Sequence, residues 1–237
     1  MKIIIPMLLL VSATAFSQTR VNVTNDDVTI NTNFFQVVAG TPITPTTFYR
    51  VVEGTPFFKD AWLKGAVAFE KGGKEYQNLI LKLNLLDNKL HFQDIKGQEM
   101  VCSNALALVR LKDAVTGAEY QFVHTSAIPA FSTFKPACWV EILADGAKAQ
   151  LYAQHKKSIQ ETRPYGSATL EQRIIDGDVF YLAVGNQLYK VKKPQDIVDA
   201  LTDKKQELQQ WLNANKIEKN GRGFASVVDH YNSIAGK

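Results

Sequence analysis

The feature that most restricts this chain is the alternation in its first half. Leu79, Leu81, Leu83 and Leu85 share one parity, while Lys82 and Asn84 take the other. Side chains of an extended strand point to opposite faces at every second residue, so the pattern specifies a strand with one buried face. Asp87-Asn88 follows, two residue types that tolerate the positive φ of a tight hairpin. Leu90 and Phe92 then alternate with Lys89, His91 and Gln93. The texture repeats. Ala66–Glu70 leads into Gly72-Gly73, and Ala107–Leu111 and Glu119–Val123 flank Thr116-Gly117. Trp139–Leu143 and Ala149–His155 flank Asp145-Gly146, and Val179–Val184 and Gln187–Val191 flank Gly185-Asn186. Short alternating runs punctuated by Gly, Asn and Asp predict a mainly β fold, an antiparallel, hairpin-rich roll, barrel or sandwich.

Beyond Val191 the period lengthens. Pro194 suits the first turn of a helix, where its missing N–H costs nothing, and Asp203 with Gln206 has capping-box spacing. Leu208, Trp211 and Leu212 form one apolar stripe, which Asn220-Gly221 breaks. Phe224, Val227, Val228 and Tyr231 form a second. Neither stripe is stable in water, so residues 192–237 are expected to be a helical appendage packed on a β domain of residues 48–191. Residues 18–47, rich in Thr, Asn and Val and ending in Gly40-Thr41-Pro42-Ile43-Thr44-Pro45, read as an extended lead-in with one edge strand around Phe34–Val38.

The first residues carry an address. Met1-Lys2 is a short positive start, Ile3–Val11 an apolar run, and Ala15-Phe16-Ser17 a small-residue exit, which is the pattern of a secretory signal peptide spanning residues 1–17. A spanning helix needs about 20 apolar residues, and Ser12, Thr14 and Ser17 end this run early. The expected product is an exported protein beginning at Gln18, periplasmic or extracellular, with no membrane span and no Cys at its start to carry lipid. Its charge is close to balanced, +4 for the whole chain with basic residues scattered, which argues against a nucleic-acid partner. The two cysteines, Cys102 and Cys138, permit one disulfide in an exported protein. Each also reads as a small apolar residue in a strand. They are too few to build a metal site.

The segment Glu53-Gly54-Thr55-Pro56-Phe57-Phe58-Lys59-Asp60-Ala61-Trp62 continues through Gly65-Ala66-Val67 to Lys82-Leu83-Asn84-Leu85-Leu86-Asp87. With Leu90–Asp94, Gly97-Gln98-Glu99 and the tail Leu208–Asn215 and Val227–Asn232, it resembles uncharacterised exported β-rich proteins of Bacteroidota. The resemblance covers about three-quarters of the chain after the leader. It implies a periplasmic or surface β protein with a helical tail, and it transfers no catalytic residue.

The residues themselves offer little reactive chemistry. There is no G-x-S-x-G elbow, no paired-histidine metal motif among His91, His124, His155 and His230, and no Gly-rich phosphate loop opening a helix. No cofactor or metal is therefore expected. His91 falls on the polar parity of its strand and is expected to face solvent. His124 shares parity with Tyr120 and Phe122 and is expected to be half-buried and hydrogen-bonded. His155 and His230 read as surface or boundary positions. Asp87, Asp145, Asp176 and Asp178 read as turn residues. Phe57, Phe58, Trp62, Trp139 and Tyr181 are candidates for a sugar-stacking platform, and in strands aromatics of this kind usually form core. The most suggestive segment is Lys156–Arg173, a long loop in which Lys156, Lys157, Arg163, Tyr165 and Arg173 are candidate contacts for an anionic glycan or a peptide. Two readings follow: a non-enzymatic binding or assembly module recognising an envelope protein or glycan, or a hydrolase of an envelope or extracellular polymer whose site is assembled only in the fold.

Overall fold

The computed structural model describes residues 34–35, 38–42, 50–70, 74–163, 165 and 170–236. The signal-peptide pattern and the Gly72-Gly73 turn lie outside them. The strands are β1 (Gly40–Pro42), β2 (Arg50–Glu53), β3 (Leu63–Phe69), β4 (Glu75–Asn84), β5 (Lys89–Gln93), β6 (Glu99–Cys102), β7 (Leu106–Lys112), β8 (Glu119–His124), β9 (Trp139–Asp145), β10 (Gln150–Thr162), β11 (Glu171–Val184) and β12 (Gln187–Val191). Three helices follow, α1 (Pro194–Ala200), α2 (Lys205–Ala214) and α3 (Gly221–Ala235). The strands form one sheet in the order β1-β6-β5-β4-β3-β7-β8-β9-β10-β11-β12, antiparallel except where β2 pairs parallel with β11. The mainly β, hairpin-rich expectation holds, and the sheet is not a closed barrel. The lead-in differs: Phe34-Phe35 is helical, and the edge strand is Gly40–Pro42 paired with β6.

Connection length forces the sheet to curl. β6 and β7 lie four strand positions apart, about 19 Å at the usual spacing of about 4.8 Å. Only Ser103–Ala105 join them, and that stretch reaches about 14 Å when fully extended. The first half of the sheet therefore folds over, and its inner face closes on Val67, Leu79, Leu81, Leu83, Leu90, Val109, Leu111 and Phe122. Phe34 plugs this core completely buried, edge-on to Phe92 with ring centroids 5.3 Å apart.

The second half is covered on both faces. On one, α1–α3 pack over Leu151, Leu182 and Val191 through Ile197, Leu208, Phe224, Val227 and Val228. On the other, the 3₁₀ turns Thr125–Ala127 and Pro129–Phe131 cover Val140, Tyr152 and Ala183. Pro194 opens α1, and the Asp196 carboxylate accepts from the Lys192 and Lys193 backbone N–H groups at 2.8 and 3.0 Å. Asn220 does not end α2, which stops at Ala214 with Asn215 as its cap. The Asn220 side chain accepts from the Gly223 N–H at 2.9 Å and so caps the start of α3. The tail is tied down by Asn232, whose amide accepts from the Ala149 N–H at 3.1 Å and donates to the Ala149 carbonyl at 2.9 Å.

A strap, Glu53–Asp60, joins the two halves. Gly54 has φ +82° and lies so close to the Ile174 carbonyl that a Cβ would collide with it. Phe57 then caps the outer face beneath Lys82 and against His91, and Phe58 enters the core between Tyr120 and Phe122. Lys59 donates to Asp113 at 3.3 Å. The backbone N–H groups of Thr116 and Val115 lead in holding the Asp113 carboxyl down at about 2.

Candidate functional site

β10 outruns its neighbour. It pairs with β11 from Gln150 to Thr162 but with β9 only from Gln150 to Ala153, across a bulge at Leu151/Tyr152. Trp139 and Val140, which open β9, pair with His124 and Val123 of β8 on its other side but have no partner on β10. The sheet therefore forks, and a cleft of about 450 Å³ occupies the fork. Leu85, Leu86 and Asn88 wall one side, Phe134–Pro136 with Cys138 and Trp139 the back, and Gln154–Ser158 the other side. Asn88, held at φ +54°, fixes the back wall. Its carbonyl accepts from the Trp139 indole at 3.3 Å and its side-chain oxygen from the Trp139 N–H at 3.4 Å.

A ladder of charge runs up the outer half of the hairpin. His155 lies between Glu141 of β9, 2.6 Å from Nε2, and Asp178 of β11, 2.8 Å from Nδ1, with the Phe58 ring 5.2 Å away. Burial opposes the imidazolium, but hydrogen bonds to Glu141 and then Asp178 outweigh it, and the pKa is raised. Both ring nitrogens are committed, so His155 has no lone pair for a metal or for a substrate proton. Lys157 pairs with Asp176 at 2.6 Å, its side chain only 6% exposed. Gln172 donates to Glu161 at 2.8 Å. Beyond them the surface turns apolar: Val51, Val52, Ile159, Tyr165 and Ile175 are all exposed on this arm.

The expected loop Lys156–Arg173 is thus mostly strand, and its five candidates do not converge. Lys156 and Lys157 line the cleft. Arg163 and Tyr165 lie at the tip, roughly 20 Å further along at strand rise, and Arg173 pairs with Glu53 at 3.3 Å. Asp176 and Asp178 sit in mid-strand rather than at a turn. Their pairing with Lys157 and His155 is what keeps a polar segment extended. Basic residues at 155 and 157 mirrored by acidic ones at 178 and 176 are the signal that finds this arm in the sequence.

Other expectations also resolve. Cys102 and Cys138 are both free thiols rather than a bridge. Burial pushes both upward, against nucleophilic use. Cys138 Sγ accepts from Gln154 Nε2 at 3.2 Å. His91 does not face solvent. It is buried under Phe57 and 2.7 Å from Glu99. His124 is half-buried and hydrogen-bonded to Ser126 Oγ at 2.6 Å, as parity suggests, and burial lowers its pKa. Ser126 in turn donates to Glu70 at 2.9 Å. The serine stands between histidine and carboxylate, so its proton is directed away from the imidazole, the reverse of a nucleophilic triad. His230 stacks on Trp211 at 4.6 Å. The five aromatics do not converge: Trp139 is core, Tyr181 packs on Phe131 and Phe134, Phe58 points inward, and only Phe57 and Trp62 come near each other, on either side of the Lys82 ammonium.

Among the described residues no group of His, Cys, Asp or Glu is arranged to hold a metal, and no helix is long and apolar enough to cross a membrane. No protein-family model, curated protein or solved structure matches the chain.

Proposed function

We propose that this chain is a non-enzymatic binding and assembly module of the bacterial envelope, which takes an extended polypeptide as an added strand along the open side of β10. The fork carries this reading. From Gln154 to Thr162, β10 is paired on one side only among the described residues. A strand edge presents unpaired N–H and C=O groups at strand spacing, which another strand satisfies and a glycan does not. The cleft gives the incoming chain a pocket at one end. Lys135 and Lys156 are exposed there, with no ion-pair partner among the described residues, which favours an acidic segment. The leader pattern at Met1–Ser17 and the resemblance to exported Bacteroidota proteins support an envelope location. The committed nitrogens of His155, the reversed order at Ser126 and the raised thiols of Cys102 and Cys138 weigh against catalysis at these positions.

The test uses an acidic peptide of alternating Glu and Val, fluorescently labelled, and the same peptide N-methylated at alternate residues. Strand addition predicts saturable binding by anisotropy, at least about tenfold weaker for the methylated peptide, because its blocked amides cannot join the ladder. Both peptides should stay intact. Equal binding of the two overturns strand addition, and cleavage overturns the non-enzymatic reading.

A further inference from the structure

The outer strand of the arm reads Lys157-Ser158-Ile159-Gln160-Glu161, and its charges are self-complementary. A two-fold axis through Ile159, with two copies of β10 antiparallel, sets Ile159 opposite Ile159. It sets Ser158 opposite Gln160, and each Lys157 opposite the other copy's Glu161. Residues directly opposite in an antiparallel pair share a face, where opposite charges attract and aliphatic side chains pack. Lys157, Ile159 and Glu161 already share a face, because their partners on β11 are Asp176, Ile174 and Gln172. We infer that the strand added to β10 is β10 of a second copy, giving an isologous dimer whose two arms form one continuous ladder. The inference rests on strand addition at this edge, and the partner it names is this self-complementary segment rather than a generally acidic one.

The other edges are poorer candidates. β1 spans Gly40–Pro42 and ends in a proline, β2 spans only four residues, and β12 is short and contacts α1. Natural sheets blunt such ends by brevity, proline and cover, whereas a long open edge bearing an exposed aliphatic invites pairing. The β10 edge is the long one, and Ile159 is 45% exposed on it. The two-fold leaves the Lys157–Asp176 pair in place and gives each ammonium a second carboxylate across the new pair. It also brings each Arg163 level with the other copy's His155, whose charge Glu141 and Asp178 already balance.

Sedimentation equilibrium of the purified chain tests this. The wild type should sediment at twice the chain mass and Ile159→Lys at the chain mass, with unchanged far-ultraviolet circular dichroism. Glu161→Lys alone and Lys157→Glu alone should each be monomeric, and an equimolar mixture should recover the dimer, because each variant supplies the charges the other lacks. Ile159→Cys, which meets itself at the axis, should form an interchain disulfide that the wild type does not. A wild-type dimer indifferent to Ile159→Lys overturns the inference. A wild-type monomer that still prefers the unmethylated acidic peptide also overturns it and leaves strand addition standing. A monomer that binds neither peptide removes both.

Discussion

At Leu151 and Leu182 the β10–β11 ladder is sealed between α-helices on one face and 3₁₀ turns on the other. Further along the same two strands, Ile159 and Ile175 face solvent. Register is unbroken from Gln150↔Ala183 to Thr162↔Glu171, so backbone pairing does not distinguish the halves. The base is held by apolar burial, which is non-directional and grows with area. The outer half is held by paired charges, His155 with Glu141 and Asp178, then Lys157 with Asp176, which fix geometry more than they add stability. A hairpin built this way has an apolar root and an extension whose β10 edge is open. It suits an arm that must hold its shape while leaving one side open.

The sharpest contrast is expected at the root. Phe224 is buried in α3 and sits edge-on to Phe180 at 5.1 Å. Phe224→Ala should destabilise by about 3–5 kcal/mol in denaturant unfolding. A loss below about 1 kcal/mol would mean that the helices do not anchor the root.

At the junction, His155→Gln should cost about 3 kcal/mol, because it leaves Glu141 and Asp178 close together without the cation between them. Its pH signature sharpens the comparison. The folded pKa of His155 is raised by its carboxylates, so its contribution is full below the unfolded value of about 6.5 and is lost as pH rises through the folded value. The wild type should therefore lose midpoint stability on the alkaline side of that window, and His155→Gln should be flat across it. A parallel decline in both would assign the pH dependence to other groups.

The smallest effect belongs to the arm. Ile175 lies on its outer face opposite Ser158, and Ile175→Thr should change stability by less than about 0.5 kcal/mol. If it costs as much as Phe224→Ala, the arm has a core of its own and the contrast between the halves collapses.

Much of the root was readable. The parity of Leu79, Leu81 and Leu83 is the inner face of β4, with Leu85 buried just past its end, and Phe224, Val227, Val228 and Tyr231 are the buried stripe of α3. Such patterns are legible because one face meets a core and the other meets water. The arm was not, since Gln154–Thr162 lacks apolar alternation and its partner strand begins beyond a turn. Its order comes from charge pairs between residues far apart in sequence. His91 was misplaced for a related reason: strand parity gives its face correctly, but nothing in β5 announces that Phe57 will cover that face. Asn220 reads as a break because helix starts and helix ends favour the same residue types, yet α2 has already stopped at Ala214 and Asn220 starts α3.

The adjacent rings of Phe57 and Phe58 also set an order of events. Phe57 closes on strands made soon after it, whereas Phe58 also rests against His155, about a hundred residues later, a longer loop whose closure costs more. During synthesis the strap can seat Phe57 early, while Phe58 gains Tyr120 and Phe122 only with β8 and His155 later still. The opening residues of β11, Glu171–Ile174, which meet β2 and Gly54, complete the join between the two halves.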